Sequence, residues 1–102
     1  MTKLEKDIEA KLRKVVERHG GLCLKWVCPG WSGVPDRMIL LPSGRLMFAE
    51  LKRPKGGKVE ELQKWWRRRL TAFGFDCWVV LNERDIRTLE MVIEDTLRRG
   101  NR

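Results

Sequence analysis

Asp36, Glu50 and Lys52 are the residues of this chain whose types and spacing could carry out a reaction. They lie within Gly33 to Lys52, GVPDRMILLPSGRLMFAELK, which reads as two apolar β-strands joined by a Pro-Ser-Gly turn. Side chains alternate along a strand, so Glu50 and Lys52 point the same way while Leu51 points into the opposite layer. In an antiparallel hairpin the start of the first strand lies beside the end of the second, which brings Asp36 to the same edge. Two carboxylates and an amine then share one small volume. Carboxylates held together away from bulk water repel, and a divalent cation relieves that repulsion. Ligands that are all oxygen select Mg²⁺ or Mn²⁺. Such an ion can lower the pKa of a bound water, hold a phosphate oxygen and neutralise charge in the transition state. Lys52 is placed to orient or deprotonate the attacking water and to stabilise the pentavalent phosphorane. Phosphodiester hydrolysis is the chemistry this set predicts.

The elements around the hairpin follow from hydrophobic periodicity. Leu4, Ile8, Leu12, Val15 and Val16 recur at helical spacing between a Thr2 N-cap and a Gly20-Gly21 stop, which predicts a helix over residues 3–19. Glu5 and Glu9 flank its apolar stripe, and by residue type alone both read as solvated surface acids. Leu22 to Cys28 reads as a strand, and the loop CPGWSGVP leads from it into Asp36. Trp31 in that loop could stack on a base, cap the core or fill a dimer contact. After Lys52 the basic stretch RPKGGK reads as an exposed loop, either simply solvated or, the favoured reading, contacting phosphates. A second helix is predicted over residues 60–73, with Leu62, Trp65 or Trp66, Leu70 and Phe73 on its buried stripe and Gln63 in its first turn. Lys64, Arg67, Arg68 and Arg69 make its surface basic, and one of the two tryptophans is left for an interface. Phe75 to Leu81 is a continuous apolar run, expected to be an inner strand covered on both sides. Ile86, Leu89, Val92 or Ile93, and Leu97 mark a third helix that ends at Gly100.

A chain of 102 residues is expected to form one domain, residues 1–102, with the site built on a single core. Hydrophobic residues at 42% and charged residues at 35% fit a folded globule. The net charge of +8 makes a polyanion the expected partner, and nucleic acid fits best. A membrane partner is disfavoured because the sequence has no long apolar stretch and its amphipathic helices are needed for the core. The opening MTKLEKDIE lacks the apolar run of a signal peptide, so a cytoplasmic location is expected. Cys23, Cys28 and Cys77 include no C-x-x-C pair and read as buried thiols of a reducing compartment. His19 has no metal-ligand spacing to them, which argues against zinc.

The order Pro35-Asp36, thirteen residues, then Glu50-Leu51-Lys52, on a helix-then-strands frame, resembles the PD-(D/E)xK nuclease superfamily. Within it, GVPDR at 33–37, ELK at 50–52 and Gln63 near the start of the next helix are similar to the VRR-NUC (virus-type replication-repair nuclease) family. The resemblance covers nearly the whole chain. An E-x-K alone would be weak; its combination with GVPD, the spacing and the downstream glutamine is specific. The resemblance implies an α/β restriction-endonuclease-like core of order α-β-β-β-α-β-α, with a mixed central sheet flanked by helices. It implies Asp36, Glu50 and the Leu51 carbonyl as ligands of Mg²⁺ or Mn²⁺, Lys52 as the catalytic lysine and Gln63 as its polar partner. A glutamate from the first helix is also implied. Glu5 fits best by its distance from Gly20-Gly21, with Glu9 the alternative. The implied activity is a metal-dependent endodeoxyribonuclease without a nucleotide cofactor. Stand-alone members resemble homodimeric Holliday junction resolvases, so branched DNA and a homodimer are expected. The alternatives are a flap or nicking endonuclease of phage replication or packaging, and an inactive basic DNA-binding module. Arg37, Arg53, Lys55, Lys58, Lys64, Arg67, Arg68 and Trp31 are the expected DNA contacts, reading backbone and shape rather than bases.

Overall fold

The computed structural model describes residues 3–51 and 60–99. The first helix, α1 (Lys3–Arg18), buries Ile8, Leu12, Val15 and Val16, the i, i+4, i+7, i+8 positions that make one face of a 3.6-residue repeat. Three strands follow: β1 (Leu22–Lys25), β2 (Arg37–Leu41) and β3 (Arg45–Leu51). β2 and β3 are joined by a 3₁₀ turn, Pro42–Gly44, in which Ser43 and Gly44 take φ of 67° and 73°. Then come α2 (Glu60–Ala72), β4 (Asp76–Val80) and α3 (Glu83–Arg99). Asn82 caps α3 by accepting the Asp85 N–H at 3.0 Å, while the Asp85 carboxylate accepts the Leu81 N–H at 2.8 Å.

The strands form one mixed sheet in the order β1-β2-β3-β4, with β1–β2 and β2–β3 antiparallel and β3–β4 parallel. One face carries Ile39, Leu41, Met47, Ala49, Leu51 and Val80, which close the main core against α1 and the Ile86, Leu89 and Ile93 stripe of α3. The opposite face carries Phe48, which meets Trp26 and Phe75 at ring-centroid distances of 5.1 and 5.6 Å beneath α2. The observed order is the expected α-β-β-β-α-β-α, a mixed sheet between helical layers.

Three expectations are corrected. β1 ends at Lys25 rather than Cys28, because the chain turns away from β2 after Trp26 donates its N–H to the Asp36 carbonyl at 2.9 Å. β4 packs against both α2 and α3 but lies at the sheet edge; the inner, almost wholly buried strand is β3. An apolar run reports cover by helices as readily as cover by strands. On α2 the inward residues are Trp66, Leu70 and the half-buried Gln63 and Arg67, whereas Leu62 and Phe73 are 47% and 65% exposed. Both sets satisfy helical spacing, so periodicity alone did not separate them.

Candidate active site

The β2–β3 register pairs Arg37 with Ala49, which sets Asp36 beside Glu50 at one end of the hairpin, as strand alternation required. Asp36 is fixed there by the backbone: its Oδ1 accepts the Leu51 N–H at 3.1 Å. Burial pushes the Asp36 carboxyl above its ordinary pKa, and the Leu51 N–H and the Arg37 charge pull part of that back. Glu50 is 2% exposed, on the face covered by α2, and both of its oxygens lie 3.2–3.3 Å from Arg67 Nη1. A buried carboxylate needs such a partner, and α2 supplies it one helical turn after Gln63.

The loop ahead of Asp36 is clamped to the start of α2. Gly33 has φ +86°, and a Cβ there would lie 2.6 Å from the Cβ of Leu62 and 3.2 Å from the backbone nitrogen of Gln63. Only glycine allows both the positive φ and this approach. One turn further along α2, Trp66 Nε1 donates to the Ser32 carbonyl at 2.9 Å, and Trp31 packs edge-on against the Trp66 ring at 5.7 Å. The glycine of the GVPD segment therefore fixes Asp36 relative to the helix that carries Gln63 and Arg67.

Arg37 is not a DNA contact, contrary to expectation. Its place on β2 opposite Ala49 turns it into the main core, where it is 3% exposed. Nη1 donates to the Asp36 carbonyl at 2.8 Å, Nη2 pairs with the Glu9 carboxylate, and Nε has no partner among the described residues. Glu9 is thus an ion-pair partner of Arg37 rather than a solvated acid. Glu5 lies one turn nearer the helix N-terminus. α1 runs in the same direction as β2, with Glu9 against Arg37 at the start of the strand and Gly21, just past the helix, close to Leu40 and Leu41 at its end. Tracing the helix back from Glu9 carries Glu5 toward the Asp36 end of the sheet.

Lys52, Arg53, Lys55 and Lys58 lie outside the described residues. Lys64 and Arg68 are exposed on α2, and Trp31 is 60% exposed at the loop tip. Arg67 is only partly exposed, its guanidinium turned to Glu50. Cys77, beside this pair on β4, is raised to a pKa of about 11, by burial first and then by the Glu50 charge, so its thiol is neutral. Burial raises Cys23 to about 11 as well, and the three cysteines are free thiols. The partnerships Arg67–Glu50 and Arg37–Glu9 were not anticipated. The first had a signal in the four-residue spacing of Gln63 and Arg67; the second joins positions 28 residues apart and had none. Away from this end, His19 Nε2, Glu90 and Glu94 bring donor atoms within 4.8 Å of one another. There Glu90 takes bonds from both Arg18 and His19 and ties α1 to α3.

A pair of acids on adjacent strands at the end of a β-hairpin, backed by a helical glutamine and arginine in a mixed α/β sheet, defines a nuclease core of the PD-(D/E)xK type. No protein-family profile matches the chain. It is 39% identical over 85 residues to p44 of Acyrthosiphon pisum secondary endosymbiont phage 1, provisionally named a nuclease; the match covers 83% of this chain and 89% of that protein. A solved structure described as a VRR_NUC domain superposes with a TM-score of 0.77 at 27% identity, covering 86% of this chain and 95% of the other. The chain belongs to the VRR-NUC nuclease family.

Proposed function

We propose that this nuclease is a metal-dependent DNA endonuclease selective for branched structures and acting as a homodimer. The observation that carries the reading is the juxtaposition of Asp36 with the buried Glu50 across β2 and β3, which brings carboxylate oxygens from two strands to one point. The donor set fits a hard divalent ion: Asp36, Glu50 and the Leu51 carbonyl, with Glu5 from α1 as the further ligand and Glu9 as the alternative. Mg²⁺ or Mn²⁺ held there supplies water activation and charge neutralisation at the scissile phosphate. Within the chain, the Leu51 N–H orients the Asp36 carboxylate, Arg67 balances Glu50, and Gln63 is the polar partner of the attacking water or of Lys52. Lys52 orients or deprotonates that water and offsets the negative charge that grows on the phosphorus oxygens. Exposed Lys64 and Arg68, with Arg53, Lys55 and Lys58, contact phosphates. Trp31, braced on Trp66, stacks against or wedges the branch. Exposed Leu22, Leu24 and Leu40 on the part of the sheet away from Glu50 favour self-association.

The test is cleavage of labelled four-way junction, flap, nicked and plain duplex DNA by wild type and Lys52→Ala in Mg²⁺, Mn²⁺ and EDTA. Cation-dependent cleavage by wild type, lost in Lys52→Ala and paired across a junction, is the expected result. Cleavage confined to flaps or nicks would replace the junction assignment. No Lys52-dependent cleavage of any DNA would leave an inactive DNA-binding module. Sedimentation of the wild type as a strict monomer would rule out the dimer.

A further inference from the structure

The flank of α2 that leads away from Glu50 bears an open, shallow cavity of about 470 Å³ lined by Arg67, Arg68, Thr71, Ala72 and Cys77. Arg67 stands between this cavity and the acid. Only its Nη1 is bonded to Glu50, and a guanidinium has five N–H donors, so the rest of the fork is left for a second anion. Arg68 and the Thr71 hydroxyl lie on the same stretch of helix, one and four residues on. Among the described residues, no acidic one lines the cavity.

We propose that this cavity binds one sugar-phosphate unit of the DNA strand next to the scissile phosphate. The inference rests on the nuclease reading given above and assigns a subsite to it. The rim supplies Arg67, Arg68 and Thr71 as donors to a phosphate, the chemistry that recognises a planar or tetrahedral oxyanion best. Ala72 and the Cys77 thiol are the uncharged part of the lining, suited to the apolar face of a deoxyribose. The position fits as well. Phe48 pairs with Cys77 and Glu50 with Val79, so Cys77 is on the neighbouring strand and two residues along the sheet from Glu50. With about 3.3 Å per residue and about 4.8 Å between strands that is roughly 8 Å, close enough for a neighbouring phosphate of the same DNA strand. Arg67 then touches both Glu50 and the DNA, so that occupation of the subsite and the setting of the acid are linked through one side chain.

The experiment measures DNA binding in EDTA, where no cleavage intervenes. Ala72 is exposed on a helix, so Ala72→Glu keeps the fold while placing a carboxylate in the cavity. Thr88→Glu, exposed on α3 in the opposite layer, changes the net charge equally. Ala72→Glu is expected to weaken binding about tenfold and to lower the salt slope by about 0.9, the value of one phosphate contact. Thr88→Glu is expected to stay within about twofold of wild type, a spread set by ordinary surface substitutions. Single methylphosphonate linkages, walked along the strand, should identify one position that weakens wild type about tenfold and leaves Arg68→Gln, already deprived of that contact, unchanged. Equal losses in Ala72→Glu and Thr88→Glu, or equal sensitivity at every linkage, would overturn the subsite. Cleavage by wild type in Mg²⁺ is assayed in parallel. Its absence would sink the nuclease reading, whereas cleavage accompanied by equal binding of the two glutamate variants would sink the subsite alone.

Discussion

Gly33 has no room for a side chain. A methyl group there would meet Leu62 at 2.6 Å while the backbone holds φ at +86°. Gly33→Ala should therefore destabilise the protein by about 1–3 kcal/mol, combining left-handed strain with overpacking. Urea unfolding would measure this, and an unchanged midpoint would show that the loop is not clamped on α2. Because the same contact fixes the lead-in to Asp36, the variant's cleavage should fall by more than its unfolded fraction accounts for. The pairing of Asp36 with Glu50 was legible in the sequence, since strand alternation and a Pro-Ser-Gly turn leave little freedom of register. The burial of Arg37 was not. Arginine is a surface residue by default, and the acid that compensates it sits on another element.

Between elements, two ion pairs do different work. Arg37 with Glu9 ties α1 to β2 from inside the core. Removing the arginine alone, as Arg37→Ala, leaves a cavity and an unpaired Glu9 and should cost about 3 kcal/mol. The double variant Arg37→Met/Glu9→Leu should recover most of that loss in urea unfolding; a double variant as unstable as the single would argue that the bond to the Asp36 carbonyl matters more than the pair. Glu90 ties α1 to α3 at the surface through Arg18 and His19, whose hydrogen bonds hold its carboxyl below the ordinary glutamate value. A lowered folded-state pKa means that this stabilisation is present above the unfolded value and is lost as pH falls through the folded one. Glu90→Gln should melt below wild type at pH 7, and the difference should vanish once both are acidified past that window. A difference that persists in acid would mean that packing, not charge, joins the helices. Sequence periodicity located every helix but not the face α2 turns inward, because Leu62, Trp65, Trp66, Leu70 and Phe73 supply two overlapping apolar stripes.

At the scale of the molecule the charge of +8 is distributed over a body whose principal extents are 41, 31 and 22 Å. Binding to DNA should depend steeply on salt, with the slope falling by about 0.9 for each phosphate contact removed. Lys64→Gln and Arg68→Gln together should lower it by about twice that amount, read by titration at several salt concentrations. An unaltered slope would move the DNA to another face. No helix among the described residues is long and apolar enough to cross a membrane. Net charge and composition pointed to nucleic acid from the sequence alone. They could not say where the strand lies, because the basic residues are spread along most of the chain and only folding sorts them.

The contact between Arg67 and Glu50 has a practical side. The buried acid carries its own counter-ion on α2, so the fold does not depend on an added cation to tolerate it. Protein dialysed against a chelator should keep its dispersed backbone amide spectrum, and readdition of Mg²⁺ should perturb resonances around Asp36, Glu50 and Arg67 without refolding the rest. Preparations stripped of metal would then serve as faithful ligands for trapping uncleaved DNA.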